Sequence, residues 1–300
     1  MKIAGHTMGT PEYTLERAIT LFSDLGFDGI EIIWDDSYSC ALPKKTNPKT
    51  IKEVRTRVKN LNLDISCLTP YMTEINSLNN EELHRDLNDF MRCIEVAGEL
   101  ECQCIRVYGG SYFEEKERHI RQEKEKRLIE SLAKMGEKAV KYGVVLAVET
   151  HFNTLTCTAK ETSEIIRKVD HPHVKVLYDQ PNLGFVRAEE YKEAIELLDG
   201  IIGMVHVKDF IFKENVNRVF RASHVMKADE SERTVMSKIP GEGILPWPEI
   251  IRMLKTHNYN GYLSLEYERR WHPNDLPPAA DGMKKGLLYL RSLLEKLNNK

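Results

Sequence analysis

Val144-Val145-Leu146-Ala147-Val148-Glu149-Thr150-His151 is the stretch from which the fold is read. An unbroken, largely β-branched apolar run stops at a carboxylate. A strand covered on both faces reads this way, because neither face meets water. Amphipathic helical patterns flank it, Glu123–Tyr142 before and Ala159–Val169 after. Working outward, seven similar runs appear: Lys2–Thr7, Gly29–Ile33, Leu63–Leu68, Cys104–Tyr108, Val174–Tyr178, Gly203–Lys208 and Gly261–Glu266. Helical patterns separate them. Leu15, Ala18, Ile19, Phe22 and Leu25 recur at spacings of three and four, with Gly26 as the C-cap, and Ile51, Val54, Val58 and Leu61 do the same. Glu81–Glu99, Glu189–Leu198, Pro248–His257 and Asp281–Leu297 complete the set. Strand then helix, repeated, predicts a parallel sheet with right-handed crossovers, and eight repeats predict closure into an α/β (β/α)8 TIM barrel. The alternative, a doubly wound sheet, calls for a Gly-rich phosphate turn after the first strand, and Gly5-His6-Thr7-Met8-Gly9 matches one poorly.

The chain has 300 residues, of which 41% are hydrophobic and 30% charged, which excludes a disordered or collagen-like chain. A single TIM-barrel domain over residues 1–300 is expected, with a long insertion after the seventh strand at about 209–246, rich in Lys, Arg, Asn and Ser. In a barrel that segment lies over the C-terminal mouth. The net charge of −3 gives no basic excess for nucleic acid, and no apolar run is long enough for a bilayer. The N-terminus reads at once as a strand and lacks a signal-peptide pattern, so a cytoplasmic location is expected. Six scattered cysteines without a CxxC pair read as reduced thiols.

In such a barrel the C-terminal ends of the strands point at a common centre. The fifth to eighth runs deliver Glu149, Asp179, His206 and Glu266 there. Three carboxylates and an imidazole are a hard, oxygen-rich donor set suited to one divalent metal ion, with Mn, Mg or Co preferred over Zn. Unneutralised, the three carboxylates carry about −3 and repel one another in a water-poor site. Alternation pairs Glu266 with Glu268 on one face and leaves Glu268 as the rival ligand; Glu266 is favoured because it ends the apolar run.

Several stretches together resemble the sugar phosphate isomerase/epimerase family, the xylose isomerase-like barrels. They are Ala147-Val148-Glu149-Thr150-His151, Leu177-Tyr178-Asp179, Val205-His206-Val207-Lys208-Asp209, Pro240-Gly241-Glu242-Gly243 and Gly261-Tyr262-Leu263-Ser264-Leu265-Glu266. Ketose 3-epimerases, inosose dehydratases and isomerases, hydroxypyruvate isomerases and, more remotely, endonuclease IV are the relatives this implies. The resemblance implies a metal held by Glu149, Asp179, His206 and Glu266, with Glu149 and Glu266 as catalytic acid/base groups on opposite faces of the substrate. Two such bases move a proton next to a carbonyl and invert a centre; one base on one face interconverts aldose and ketose. The epimerases carry a His three residues after the strand-six Asp, and this chain has Asn182 there. Asn cannot shuttle a proton, which separates the chain from the tagatose and psicose epimerases and from the multi-zinc nuclease.

The expected activity is therefore that of a metal-dependent isomerase or epimerase of a sugar, sugar phosphate or related polyhydroxy carbonyl compound. A dehydratase of the inosose or dehydroshikimate type is the nearest alternative. An endonuclease IV-like nuclease and a non-catalytic sugar-binding barrel stand further off. Substrate-binding candidates are His151, Asn182, Lys208, His6, Glu31 (a hydroxyl partner) and Trp34 (an apolar wall). Arg218 and Arg221 read as solvated loop charges, with a phosphate grip as the functional alternative. Gly241-Glu242-Gly243 reads as a turn, since it lacks the P-loop Lys and Ser/Thr. A homo-oligomer stays open, with Trp271-His272-Pro273 placed either over the mouth or in a subunit contact.

Overall fold

The computed structural model describes residues 1–213 and 233–298. Seven strands appear in order, β1 (Lys2–His6), β2 (Gly29–Ile33), β3 (Asp64–Thr69), β4 (Cys104–Val107), β5 (Val145–Glu149), β6 (Val174–Tyr178) and β7 (Ile202–Val207). A two-stranded ribbon, β8 (Asp209–Phe212) and β9 (Val235–Lys238), follows, and then β10 (Tyr262–Leu265). β1 to β7 and β10 close into an all-parallel barrel, β10 pairing with both β7 and β1. The eight runs of the sequence are these eight strands.

Helices cover the barrel where the apolar spacing predicts them, among them Leu15–Leu25, Pro48–Asn60, Asn80–Glu99, Arg121–Tyr142, Ala159–Val169, Trp247–Thr256 and Ala279–Asn298. Local chemistry fixes their ends. Asn47 caps the second helix with Pro48 at its first position, Thr158 caps Ala159–Val169, and Gly26 ends the first helix at φ 89°, a left-handed conformation that favours glycine. The helix expected over Glu189–Leu198 is trimmed to Tyr191–Leu197, and a short helix at Gln180–Phe185, not expected from periodicity, precedes it. Asp179 accepts the Asn182 amide at 2.9 Å and starts that short helix.

Alternation along the strands stacks side chains inside the barrel in layers. Cys67, Cys104, Ala147, Leu177 and Met204 form one buried apolar layer. Two residues further along each strand stand Thr69, Arg106, Glu149, Asp179 and His206, all buried. A polar layer thus rests directly on an apolar floor at the C-terminal mouth. All six cysteines are free thiols, five of them buried.

The described parts of the connection after β7 form a ribbon. β8 and β9 pair antiparallel from Asp209↔Lys238 to Phe212↔Val235. The Asp209 carboxylate accepts the backbone N–H of Phe210 (2.9 Å), Gly241 (3.0 Å), Gly243 (3.2 Å) and Leu245 (3.2 Å). The glycines of Pro240-Gly241-Glu242-Gly243 are required there: Gly241 has φ 92°, and a Cβ on Gly243 would lie 2.0 Å from Asp209 Oδ1. Arg218 and Arg221 lie outside the described residues. Among the described residues no helix is long and apolar enough to cross a membrane.

Candidate active site

The polar layer converges on His206, which is completely buried. Its Nδ1 lies 3.3 Å from Glu149 Oε1, 3.3 Å from Glu266 Oε2 and 3.6 Å from Asp179 Oδ2. One donor atom from each of these four residues lies within 4.8 Å of the others, a spacing that one metal ion can bridge. Glu266, directly after β10, supplies the fourth donor atom, while Glu268 sits further out, where its Oε1 is 3.4 Å from the Lys208 ammonium. Asp179 divides its oxygens: Oδ1 caps the short helix, and Oδ2 faces the cluster and the Lys208 ammonium at 2.9 Å.

The other ring nitrogen of His206 explains its orientation. Nε2 lies 3.2 Å from both oxygens of Glu31, and Glu31 also accepts Ser264 Oγ (2.5 Å) and Thr69 Oγ1. A carboxylate taking the Nε2 proton leaves the Nδ1 lone pair free toward the cluster, the arrangement that fixes metal-ligating histidines. Burial opposes the Glu31 charge, but His6 and His206 draw its pKa down to about 2. Expected from the sequence as a substrate hydroxyl partner, Glu31 here has its oxygens engaged by His206, Ser264 and Thr69. His6 stands behind it, its Nε2 3.5 Å from Glu31 and its Nδ1 accepting the Met8 amide at 3.0 Å. Trp34, expected as an apolar wall, is 1% exposed and packs in the main core.

Arg106 is the functional residue that sequence reasoning misses. Its Nε donates to Glu149 Oε2 at 2.8 Å, and Nη2 donates to the same oxygen. The guanidinium lies 3.4 Å from the Tyr108 ring centroid. In the sequence Cys104–Tyr108 reads as an apolar run with one stray charge; alternation from Cys104, which puts Arg106 inward, is the signal that finds it. Burial opposes the Glu149 charge, yet Arg106 holds its carboxyl well below the usual carboxylate range. Glu149 Oε1 meets Asn182 Nδ2 at 3.3 Å, and that amide also donates to the Thr150 carbonyl at 3.1 Å.

Lys208 Nζ donates to Glu266 Oε2 at 2.6 Å. Burial works against the ammonium, but Asp179 and Glu266 keep its pKa well above the ordinary lysine value. His151 is half-buried at the end of β5. Its Nδ1 lies 2.7 Å from the Phe152 carbonyl, so Nδ1 carries the proton and Nε2 presents a lone pair. Burial lowers its pKa to about 4, against the pull of Glu149, and the ring is neutral near pH 7.

Charge decides what the layer lacks. Four buried carboxylates (Glu31, Glu149, Asp179, Glu266) face two fixed cations (Arg106, Lys208), which leaves about −2 in a region closed to water. His206 registers the surplus: burial opposes its protonation, yet Glu266 and Glu31 push its pKa well above the usual value. His206 Nδ1 has no hydrogen-bond partner of good geometry, although it is buried. One divalent cation at the four donor atoms would meet both the charge and the orphaned nitrogen, so the residues fit the group.

Above this layer the mouth carries an aromatic wall. Tyr71 stacks on Tyr38 with centroids 5.5 Å apart, and Arg106 lies 5.7 Å from the Tyr71 ring. Trp271, like Tyr38 and Tyr71, packs against the buried cluster of Met8, Ile33, Cys40 and Ala41.

Residues 19–293 match the model of the family described as "Xylose isomerase-like TIM barrel". The chain belongs to this family. Among curated relatives, an inosose dehydratase of Clostridium perfringens (strain ATCC 13124) is 23% identical over 301 residues, covering 96% of this chain and 91% of the relative. Among solved structures, the probable 3-DHS dehydratase AsbF from Bacillus anthracis superposes with a TM-score of 0.76 at 22% identity, covering 97% of this chain and 99% of that one. A D-psicose 3-epimerase of Clostridium cellulolyticum H10 gives a TM-score of 0.73 at 16% identity, with 98% and 99% covered. Dehydratases and epimerases thus share this fold, and the geometry of the individual site separates them.

Proposed function

We propose that the chain is a divalent-metal-dependent dehydratase that removes water from a small polyhydroxylated carbonyl compound, with Glu149, Asp179, His206 and Glu266 as the metal ligands. The observation that carries this reading is the hold of Arg106 on Glu149. A two-base epimerase needs a free carboxylate oxygen on each face of the substrate. Here Glu149 Oε2 accepts two N–H groups of Arg106 and Oε1 turns toward His206 and Asn182, so neither oxygen is placed to take a proton from carbon.

His151 takes the role that Glu149 lacks. It is neutral, its tautomer is fixed by the Phe152 carbonyl, and Nε2 carries the free lone pair. When bound, a divalent cation supplies Lewis acidity that acidifies the C–H beside a carbonyl. His151 Nε2 removes that proton, the electron pair forms the new C=C bond, and the β C–O bond breaks. Lys208, an ammonium between Asp179, Glu266 and Glu268, gives the departing hydroxide a proton, so that water leaves. Relatives named inosose dehydratase support the same chemistry.

The test is incubation of keto-inositols and sugars with Mn-loaded protein in deuterated water. Loss of water with an unsaturated product supports the proposal; solvent deuterium in an isomeric sugar without loss of water defeats it. His151→Gln is expected to lower kcat by at least about 100-fold with Mn content unchanged. The isomerase or epimerase reading is favoured by one observation, the presence of both Glu149 and Glu266 in the cluster, and the same experiment decides between the two.

A further inference from the structure

The cations around the mouth are almost all matched. Arg106 is taken by Glu149, Lys208 by Asp179 and Glu266, Arg233 by Asp275, and Arg269 by Glu12. Arg270 is not: among the described residues no carboxylate lies within ion-pair distance of it. It is nonetheless held in place. Its guanidinium lies 3.8 Å from the Tyr38 ring centroid and 5.5 Å from that of Trp271. Tyr38 stacks on Tyr71 at an interplanar angle of 16°, and the Arg106 guanidinium lies 5.7 Å from the Tyr71 ring centroid. A ladder of stacked groups therefore runs from the Glu149 partner up to Arg270.

Two donors along this ladder have no acceptor although their atoms are buried: Arg270 Nε and the Tyr71 hydroxyl. Buried donors are as a rule hydrogen-bonded, and these two share one wall of the mouth with the stacked rings, open to acceptors that a ligand brings. A guanidinium stacked on an aromatic ring directs its N–H groups outward in its own plane, the geometry that binds a carboxylate or a phosphate through two oxygens.

We infer that Arg270 is a specificity-determining residue and that the substrate bears an anionic group, a carboxylate or phosphate, remote from the reacting carbon, gripped by Arg270 with the Tyr71 hydroxyl as a second donor. This rests on the dehydratase reading of the site for the rest of the substrate, a polyhydroxy ketone. Arg106 and Lys208 are unavailable for the task because the ligand carboxylates hold them.

The test measures binding alone, so it stands apart from whether water is eliminated. Mn-loaded protein is titrated calorimetrically with two matched pairs, ribulose against ribulose 5-phosphate and fructose against 5-ketogluconate. In the wild type, one anionic member is expected to bind roughly 10- to 100-fold tighter than its neutral partner, the worth of a hydrogen bond to a charged group. The pair that shows the gap names the anion. In Arg270→Met the gap closes, while affinity for the neutral sugars and Mn content stay unchanged. Arg270→Lys keeps a point charge and loses the planar fork, so it retains part of a phosphate gap and little of a carboxylate gap; it also serves if the Met variant does not fold. A wild type without a gap in either pair, or a gap that survives in both variants, overturns the assignment.

Discussion

Replacing Arg106 by Met removes a charge from the centre of the polar layer and leaves its stem. The Arg106 and Glu149 side chains are 3% and 1% exposed, so water cannot take the place of the lost N–H groups. Breaking a buried pair from one side costs about 3–5 kcal/mol, since the remaining carboxylate is left desolvated. In a domain of this size that lowers Tm by on the order of 10 °C. The assay is urea unfolding with EDTA present, at several pH values, for Arg106→Met, Glu149→Met and the double variant. The pH dependence has a definite sign. Glu149 has a depressed pKa in the folded wild type. Its contribution to stability is therefore complete above the unfolded carboxyl value, about 4.3, and is lost as pH falls through the folded value. Without Arg106 the folded pKa rises instead, so the variant is weakest at neutral pH and recovers as the carboxyl protonates. The double variant regains most of the loss, because an apolar pair replaces an uncompensated charge. A single variant within about 1 kcal/mol of wild type, or a double variant as unstable as Arg106→Met, would refute the claim that an unbalanced charge sets the cost.

Other outcomes follow from the same geometry. Glu31→Gln, which frees His206 from its carboxylate, is expected to weaken Mn binding roughly 10- to 100-fold by titration with the fold retained; unchanged affinity removes the positioning role. Glu266→Gln lowers bound Mn measured by elemental analysis, whereas Glu268→Gln leaves it stoichiometric, and the reverse pattern exchanges the two residues. Asp209→Ala strands four backbone N–H groups at the root of the β8–β9 ribbon, and hydrogen exchange there should accelerate strongly, with about 2–4 kcal/mol lost overall. The lowered pKa of His151 means that the unfolded chain takes up its proton first; stability falls by at most about 3 kcal/mol as pH drops from about 6.5 to 4, and His151→Gln flattens that slope.

Much of this protein is legible in one dimension. A strand buried on both faces has to be apolar at nearly every position, so eight such runs between amphipathic helices announce a closed parallel barrel without any contact being known. Glu149, Asp179 and Glu266 are visible for a related reason, each being a polar residue that ends an apolar run, and His206 stands one residue before the end of β7. Arg106 lies inside a run and is hidden by its neighbours, although its parity with Cys104 is a local signal. Glu31 is legible as a buried carboxylate but not in its role, because the His206 ring that it orients lies 175 positions away.

The sequence by itself determined the period of the elements, the closure they require and the four donors at the mouth, because periodicity and burial are local properties of the chain. Only the tertiary structure decided which side chains those donors meet. An Arg from β4 against a Glu from β5, a Glu from β2 beneath a His from β7, and an Arg beyond β10 over the Tyr38 ring are meetings brought together by closure. Charge is balanced in space, between side chains within a few ångströms, and linear order says little about which partner arrives there.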